Sequence, residues 1–241
     1  MHQSRLAILD IDGTLTDTIE VDDECFRRAM ALALGVPASV IDWADAPHIT
    51  DTGICHWLFE RHRDQHPSSL EVAAAKAEFL RLLESEAGTR PHRFTPVAGG
   101  RDVLSHLAQD GWSIALATGA WGASARIKLG TAGIAAGPVP LVCSDDAPSR
   151  LELLRLAIDR AGAMSSRGFE HVVSVGDGLW DLHAAAAADI AFVGIGKGSR
   201  AALLRDHGAS VVLNDWMDLK AVSAALEQAT VPRRTARNGA T

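Results

Sequence analysis

The sequence predicts an α/β protein: a doubly wound, mostly parallel sheet with a small all-helical domain inserted after its first strand. Short runs rich in Val, Ile and Leu recur through residues 1–17 and 97–230, each followed by polar or glycine-rich residues, as befits strands buried on both faces. Segments with helical spacing separate the later runs, and strands alternating with helices build parallel sheets covered on both sides. Residues 18–96 break this rhythm, offering helical patterns and no apolar strand.

The first run is Leu6–Leu9. Helical patterns follow at Cys25–Leu34, His56–His62 and Leu70–Glu86, and Pro91, Pro96 and Gly99–Gly100 mark the far edge of the insert. Asp17 is placed to cap the start of the insert. Val103, Leu104 and Leu107 share a helical face before the second run, Ser113–Ala117. The third run is Val139–Cys143. Leu151, Leu153, Leu154 and Ile158 make a second helical face before the fourth run, Val172–Val175. The tightly packed helical segment Leu182–Ala188 then leads to the fifth run, Ile190–Val193, and a weaker sixth, Ser210–Leu213. Residues 231–241, with Arg233, Arg234 and Arg237, read as a disordered, solvated tail.

A chain of 241 residues can bury one core and a smaller companion domain. Its 47% hydrophobic and 22% charged residues are those of an ordinary globular protein. A net charge of −7 argues against non-specific nucleic-acid binding, which depends on Lys and Arg. Cys25, Cys55 and Cys143 are far apart and form no Cys-x-x-Cys pair, which fits a reducing compartment. Asp10 falls where a signal peptide would be apolar, and the low-polarity stretch 184–196 is broken by Asp189 and too short for a bilayer. The expectation is a cytoplasmic monomer or homodimer that engages neither membrane nor nucleic acid.

In open parallel sheets, ligands bind beyond the carboxyl ends of the strands. Asp10, Asp12, Gly13 and Thr14 follow the first run, and Thr118 and Gly119 the second. Ser144, Asp145, Asp146 and then Arg150 follow the third, and Gly176, Asp177, Gly178 and Asp181 the fourth. Carboxylates gathered this way are costly unless a cation neutralises them. Ligands that are all oxygen favour Mg2+ over zinc.

The segments Asp10-Ile-Asp12-Gly-Thr-Leu-Thr-Asp17-Thr18, Leu116-Ala-Thr118-Gly119 and Gly176-Asp177-Gly-Leu-Trp-Asp181, in that order, resemble the haloacid dehalogenase-like hydrolase superfamily. The helical insert is similar to the cap of its phosphoglycolate phosphatase-like members. The resemblance implies a Rossmann-like core and a magnesium-dependent phosphatase that cleaves a small phosphorylated metabolite through an aspartyl-phosphate. It implies Asp10 as nucleophile and Asp12 as the acid that protonates the leaving oxygen and later takes a proton from water. Gly13 would let the backbone turn closely around the phosphate, with Gly119 beside it in the substrate site. The metal would be held by the Asp10 carboxylate, the Asp12 backbone carbonyl and Asp177, with Asp181 acting through water or by orienting its neighbours. Thr118 would donate its hydroxyl to a phosphoryl oxygen.

The superfamily's usual lysine near the third strand is missing here. Arg150, opening a helix that Ser149 can cap, is the preferred substitute, because a guanidinium can grip a phosphoryl group with two hydrogen bonds. Lys128 is the alternative, but ten residues of helix after Thr118 would place it roughly 15 Å away. Within the polar, turn-like segment His48–Gly53, Thr50 and Asp51 are expected to face the substrate.

A phosphosugar mutase would use the same motifs, and a catalytically silent binding module the same scaffold. Carbon–halogen cleavage would leave Asp12 and the metal ligands without purpose. A phosphonate hydrolase would want a Schiff-base lysine in the insert, where the only lysine is Lys76. His62 and His66 are spaced to share one helix face but read as solvated rather than zinc-binding. Trp57, Leu58 and Phe59 belong to the core of the insert, and Trp180 packs beside the site.

Overall fold

The computed structural model describes residues 4–165 and 168–233. The chain begins with β1 (Arg5–Leu9) and β2 (Thr16–Asp17), then three helices, α1 (Ile19–Leu34), α2 (Asp51–Arg63) and α3 (Ser69–Thr89). It continues through β3 (Thr95–Pro96), α4 (Val103–Gln109), β4 (Ser113–Ala117), α5 (Gly122–Thr131) and β5 (Leu141–Val142). The last part comprises α6 (Arg150–Met164), β6 (His171–Gly176), α7 (Leu179–Ala188), β7 (Ala191–Ile195), α8 (Gly198–Asp206), β8 (Val211–Leu213) and α9 (Leu219–Gln228).

All six apolar runs become strands of one parallel sheet, in the order β5-β4-β1-β6-β7-β8. β1 is central, in register with β4 on one side and β6 on the other. Because side chains alternate along a strand, Leu6 and Ile8 pack under Leu153, Leu154 and Leu182. Ala7 and Leu9 face the other way, towards Val103, Leu107, Leu129 and Leu226. Helices therefore cover both faces, as expected. β5 is shorter than its run, because Pro138 and Pro140 cannot donate to a ladder.

Helices α1, α2 and α3 bury a second apolar cluster that includes Phe26, Met30, Leu58, Phe59, Phe79 and Leu83. Gly35, at φ 71°, ends α1 in the left-handed conformation. Ser68 and Glu71 form a capping box at the start of α3. Trp121, from the segment between β4 and α5, inserts into this cluster, 5.8 Å from Phe26 and 5.7 Å from Phe79. Trp57 packs at its edge.

Four features depart from expectation. β2 and β3 pair as an antiparallel two-residue ribbon at the base of the insert, too short to carry periodicity. Thr18, not Asp17, occupies the position before α1, and Asp17 is exposed on β2. α2 stops at Arg63 with Asp64 at φ 53°, so His66 leaves the helix and pairs with Glu60 at 2.6 Å instead of sharing a face with His62. Pro232 is buried and the Arg233 backbone lies against Gly208, so the expected tail is still packed at residue 233; Arg234 and Arg237 lie outside the described residues. Among those residues, no helix is long and apolar enough to cross a membrane.

Candidate active site

The loop after β1 is wound tightly. Asp10 N donates to Val175 O at 2.9 Å, and Ile11 O accepts from Leu15 N at 2.8 Å and Thr16 N at 2.9 Å. Gly13 sits at φ 77°, and a Cβ there would lie 2.2 Å from Asp177 Oδ2. Glycine is thus required twice, by conformation and by space. The turn brings the backbone against Asp177.

Asp10, Asp177 and Asp181 are buried, with carboxylate oxygens within 4.8 Å of one another. Arg150 Nη1 donates to Asp10 Oδ1 at 2.9 Å and Asp181 Oδ1 at 3.0 Å, while its Nε donates to Ile49 O at 3.0 Å. Ser149 caps α6 as its position suggested, accepting from Glu152 N. A Cβ on Gly119 would stand 2.6 Å from the Arg150 guanidinium, so this glycine gives Arg150 its passage. Asp181 accepts from Gly178 N at 3.2 Å at the start of α7, combining a helix-start role with its ion pair. Arg200, on α8, donates to Asp177 Oδ2 at 2.7 Å.

The cluster carries more negative charge than its cations balance. Burial, then the Asp181 carboxylate, holds Asp10 well above the usual carboxylate range against the pull of Arg150. Burial pushes Asp177 up to about 7, with Asp181 adding to the rise and Arg200 and Arg150 opposing it. Asp181 is also raised by burial, opposed first by Arg150. Asp177 Oδ1 is buried without a hydrogen-bond partner, which native interiors rarely tolerate. A donor set of carboxylate oxygens with one oxygen unclaimed fits a hard divalent cation such as Mg2+.

Asp12 points elsewhere. Its Oδ1 accepts from Thr18 Oγ1 at 2.6 Å and its Oδ2 from Lys128 Nζ at 2.6 Å. Lys128 also donates to Asp22 Oδ1 at 2.6 Å and is fully buried. Burial alone would lower the lysine's pKa, but Asp12 and Asp22 more than reverse that. Burial pushes Asp22 up to about 6 despite Lys128. The expected separation of Lys128 from the site is therefore corrected. The chain turns through residues 119–121 before α5 begins at Gly122, and helical side chains lean towards the helix N-terminus. Arg150 and Lys128 are not alternatives: one meets Asp10, the other Asp12.

A cavity of about 890 Å³ opens between the insert and the sheet rim, lined by Asp10, Asp12, Asp22, Gly119, Arg150 and Asp177, among others. Thr50 and Asp51 line it, yet the segment holding them is no free turn. Thr50 donates to Pro148 O at 2.7 Å and accepts from Gly53 N at 3.1 Å as the cap of α2. Asp51 Oδ2 accepts from Trp121 N at 2.7 Å, and Asp51 N donates to Gly119 O at 2.7 Å. Thr118 is buried, its hydroxyl accepting from Ala120 N at 3.1 Å, and does not line the cavity. Trp180 lines its edge.

Asp145 and Asp146 leave the expected cluster. Asp145 accepts from Gly122 N at 2.9 Å and pairs with Lys76, while Asp146 pairs with Arg160 at 2.6 Å. Thr18, Asp22 and Arg200 were not foreseen. Arg200 follows the fifth run, so extending the strand-end rule to that run would have found it; Asp22 carried no local signal.

The sequence profile of the family described as haloacid dehalogenase-like hydrolase matches residues 5–189. No curated protein matches the chain significantly. Among solved structures, a hydrolase from Pseudomonas syringae superposes with a TM-score of 0.70 at 20% identity, covering 92% of this chain and 98% of that one. A predicted phosphoglycolate phosphatase from Haemophilus somnus gives 0.62 at 16% identity, with 92% and 99% covered. The D10N mutant of CbbY from Rhodobacter sphaeroides, in complex with xylulose-1,5-bisphosphate, gives 0.63 at 19% identity, with 90% and 96% covered.

Proposed function

The chain belongs to the haloacid dehalogenase-like hydrolases, and we propose that it is a magnesium-dependent phosphatase acting on a small phosphorylated metabolite through an aspartyl-phosphate on Asp10. One observation carries this reading. A buried carboxylate opens onto a cavity of about 890 Å³ with a guanidinium 2.9 Å away and an unclaimed carboxylate oxygen on neighbouring Asp177. Asp10 Oδ would attack phosphorus as the bond to the leaving oxygen breaks, and Asp12 would give that oxygen a proton. A water would then attack the same phosphorus and pass its proton to Asp12, releasing inorganic phosphate and restoring Asp10.

Arg150 neutralises the nucleophile and can hold a phosphoryl oxygen. Thr18 and Lys128 hold Asp12 by both oxygens, so it would act on a leaving oxygen only after giving up one contact. Asp10, Asp177 and the Asp12 backbone carbonyl would hold Mg2+, with Asp181 supporting them. Once bound, the ion would reduce the repulsion between carboxylate and phosphoryl group. The helical insert would act as the cap that excludes water and contacts the leaving group. Asp10→Asn is expected to lower magnesium-dependent phosphate release at least about 1,000-fold with little change in folding. Retained turnover in that variant would refute the assignment.

A further inference from the structure

Resting on the phosphatase reading, we infer that the preferred substrate bears a positive charge on its leaving group. The class is an amine-bearing phosphate monoester, of the amino-sugar or aminoalkyl type, rather than a phosphorylated acid or a bisphosphate. The geometry of the cavity wall opposite Asp10 leads there. That wall presents the carboxylates of Asp22, Asp23, Asp42 and Asp51. Arg27 is the cation among them, and it is already paired with Asp23. Its Nε and Nη2 donate to Asp23 at 2.8 and 3.2 Å, its Nη1 to Ile41 O, and its guanidinium lies 4.1 Å over the Trp43 ring. Lys128 stands behind Asp22, fully buried and shared with Asp12.

Asp42 and Asp51 have no ion-pair partner among the described residues. Asp42 accepts from Ala44 N at 3.1 Å and Asp51 from Trp121 N at 2.7 Å. Burial, then the Asp22 carboxylate, holds the Asp51 carboxyl well above the usual range against the pull of Lys128, and a further ammonium group in the cavity would favour its ionised form. A second phosphate or a carboxylate in this space would face like charges with no free cation on the insert side. Each such unscreened pair costs about fivefold in affinity. An ammonium or hydroxyl group would instead find acceptors. Phe26, Trp43, Ile49 and Trp180 supply apolar wall for the carbon body, and the cavity suits a leaving group larger than a two-carbon acid. On the opposite, core wall the lining cations are Arg150, held by Asp10 at 2.9 Å, and Arg200, held by Asp177 at 2.7 Å.

Glucosamine 6-phosphate, glucose 6-phosphate and 6-phosphogluconate match in size and differ in carrying an ammonium, no charge or a carboxylate. With magnesium, kcat/KM for phosphate release is expected to fall in that order, by about tenfold or more from first to last. An equal or reversed order overturns the inference while leaving a phosphatase, and would point to Arg200 as an anion receptor. Calorimetric binding of the three compounds to the Asp10→Asn protein with magnesium tests the charge preference without turnover. The same order is expected; equal, reversed or absent binding overturns it. p-Nitrophenyl phosphate, whose leaving group needs no recognition, tests the phosphatase reading by itself, and no release from it would sink that reading. Asp42→Asn is expected to narrow the ammonium-to-carboxylate ratio about threefold; an unchanged ratio would remove this wall from the account.

Discussion

On either side of Gly13 the chain buries a cation among carboxylates, and the two groups balance differently. Around Lys128, Asp12 and Asp22 share one ammonium at 2.6 Å each, Thr18 takes the remaining Asp12 oxygen, and no buried oxygen lacks a partner. Around Arg150, three carboxylates meet one buried guanidinium and the half-exposed Arg200, and Asp177 Oδ1 is left over. The first group is closed, and its ammonium and hydroxyl hold Asp12 in position. The second is open, and an open buried polar group is where a ligand completes the structure.

The difference can be broken by removing each cation in turn. Lys128→Met removes a buried cation from two partly buried carboxylates and is expected to cost about 3 kcal/mol in denaturant unfolding; a loss below about 1 kcal/mol would show that the closed group carries little of the fold. Arg150→Met is expected to lower kcat/KM for phosphate release about 100-fold or more, while saturating magnesium restores most of the stability lost. If magnesium restores the Lys128 variant equally well, the two groups are not distinct.

The smallest effect concerns protons. Between the ordinary carboxyl value and about 7, folded metal-free Asp177 keeps a proton that the unfolded chain has released. The folded state then binds more protons, so this group's contribution to stability falls as pH rises through that window. Magnesium needs the ionised form. The rise in Tm on adding magnesium should therefore be larger at pH 8 than at pH 6, by about 2–4 °C; equal rises would argue against Asp177 as a ligand.

The sheet was legible because buried parallel strands announce themselves as apolar runs, and the strand-end rule then placed Asp10, Asp177, Asp181 and Arg150 together. The same rule misled at Asp145 and Asp146, which look no different in sequence but are claimed by Lys76 and Arg160. Residue type does not reveal which carboxylates find partners elsewhere. Lys128 was misplaced for a related reason. Its contacts lie 116 and 106 residues away along the chain, and the turn that redirects α5 has no periodic signature. Thr50 and Asp51 line the cavity, and their hydrogen bonds to Pro148, Trp121 and Gly119 were beyond sequence reasoning.

The paired strands β2 and β3 let the chain leave the sheet and return at a single point, as if the three helices were a detachable module. Lys128 and Trp121 withdraw that freedom. Each belongs to the α/β half, yet one needs Asp22 and the other needs Phe26 and Phe79. Grafting foreign helices onto this neck would leave a buried ammonium with Asp12 as its one remaining carboxylate and expose an indole, so any transplant must carry matching residues on both sides of the seam.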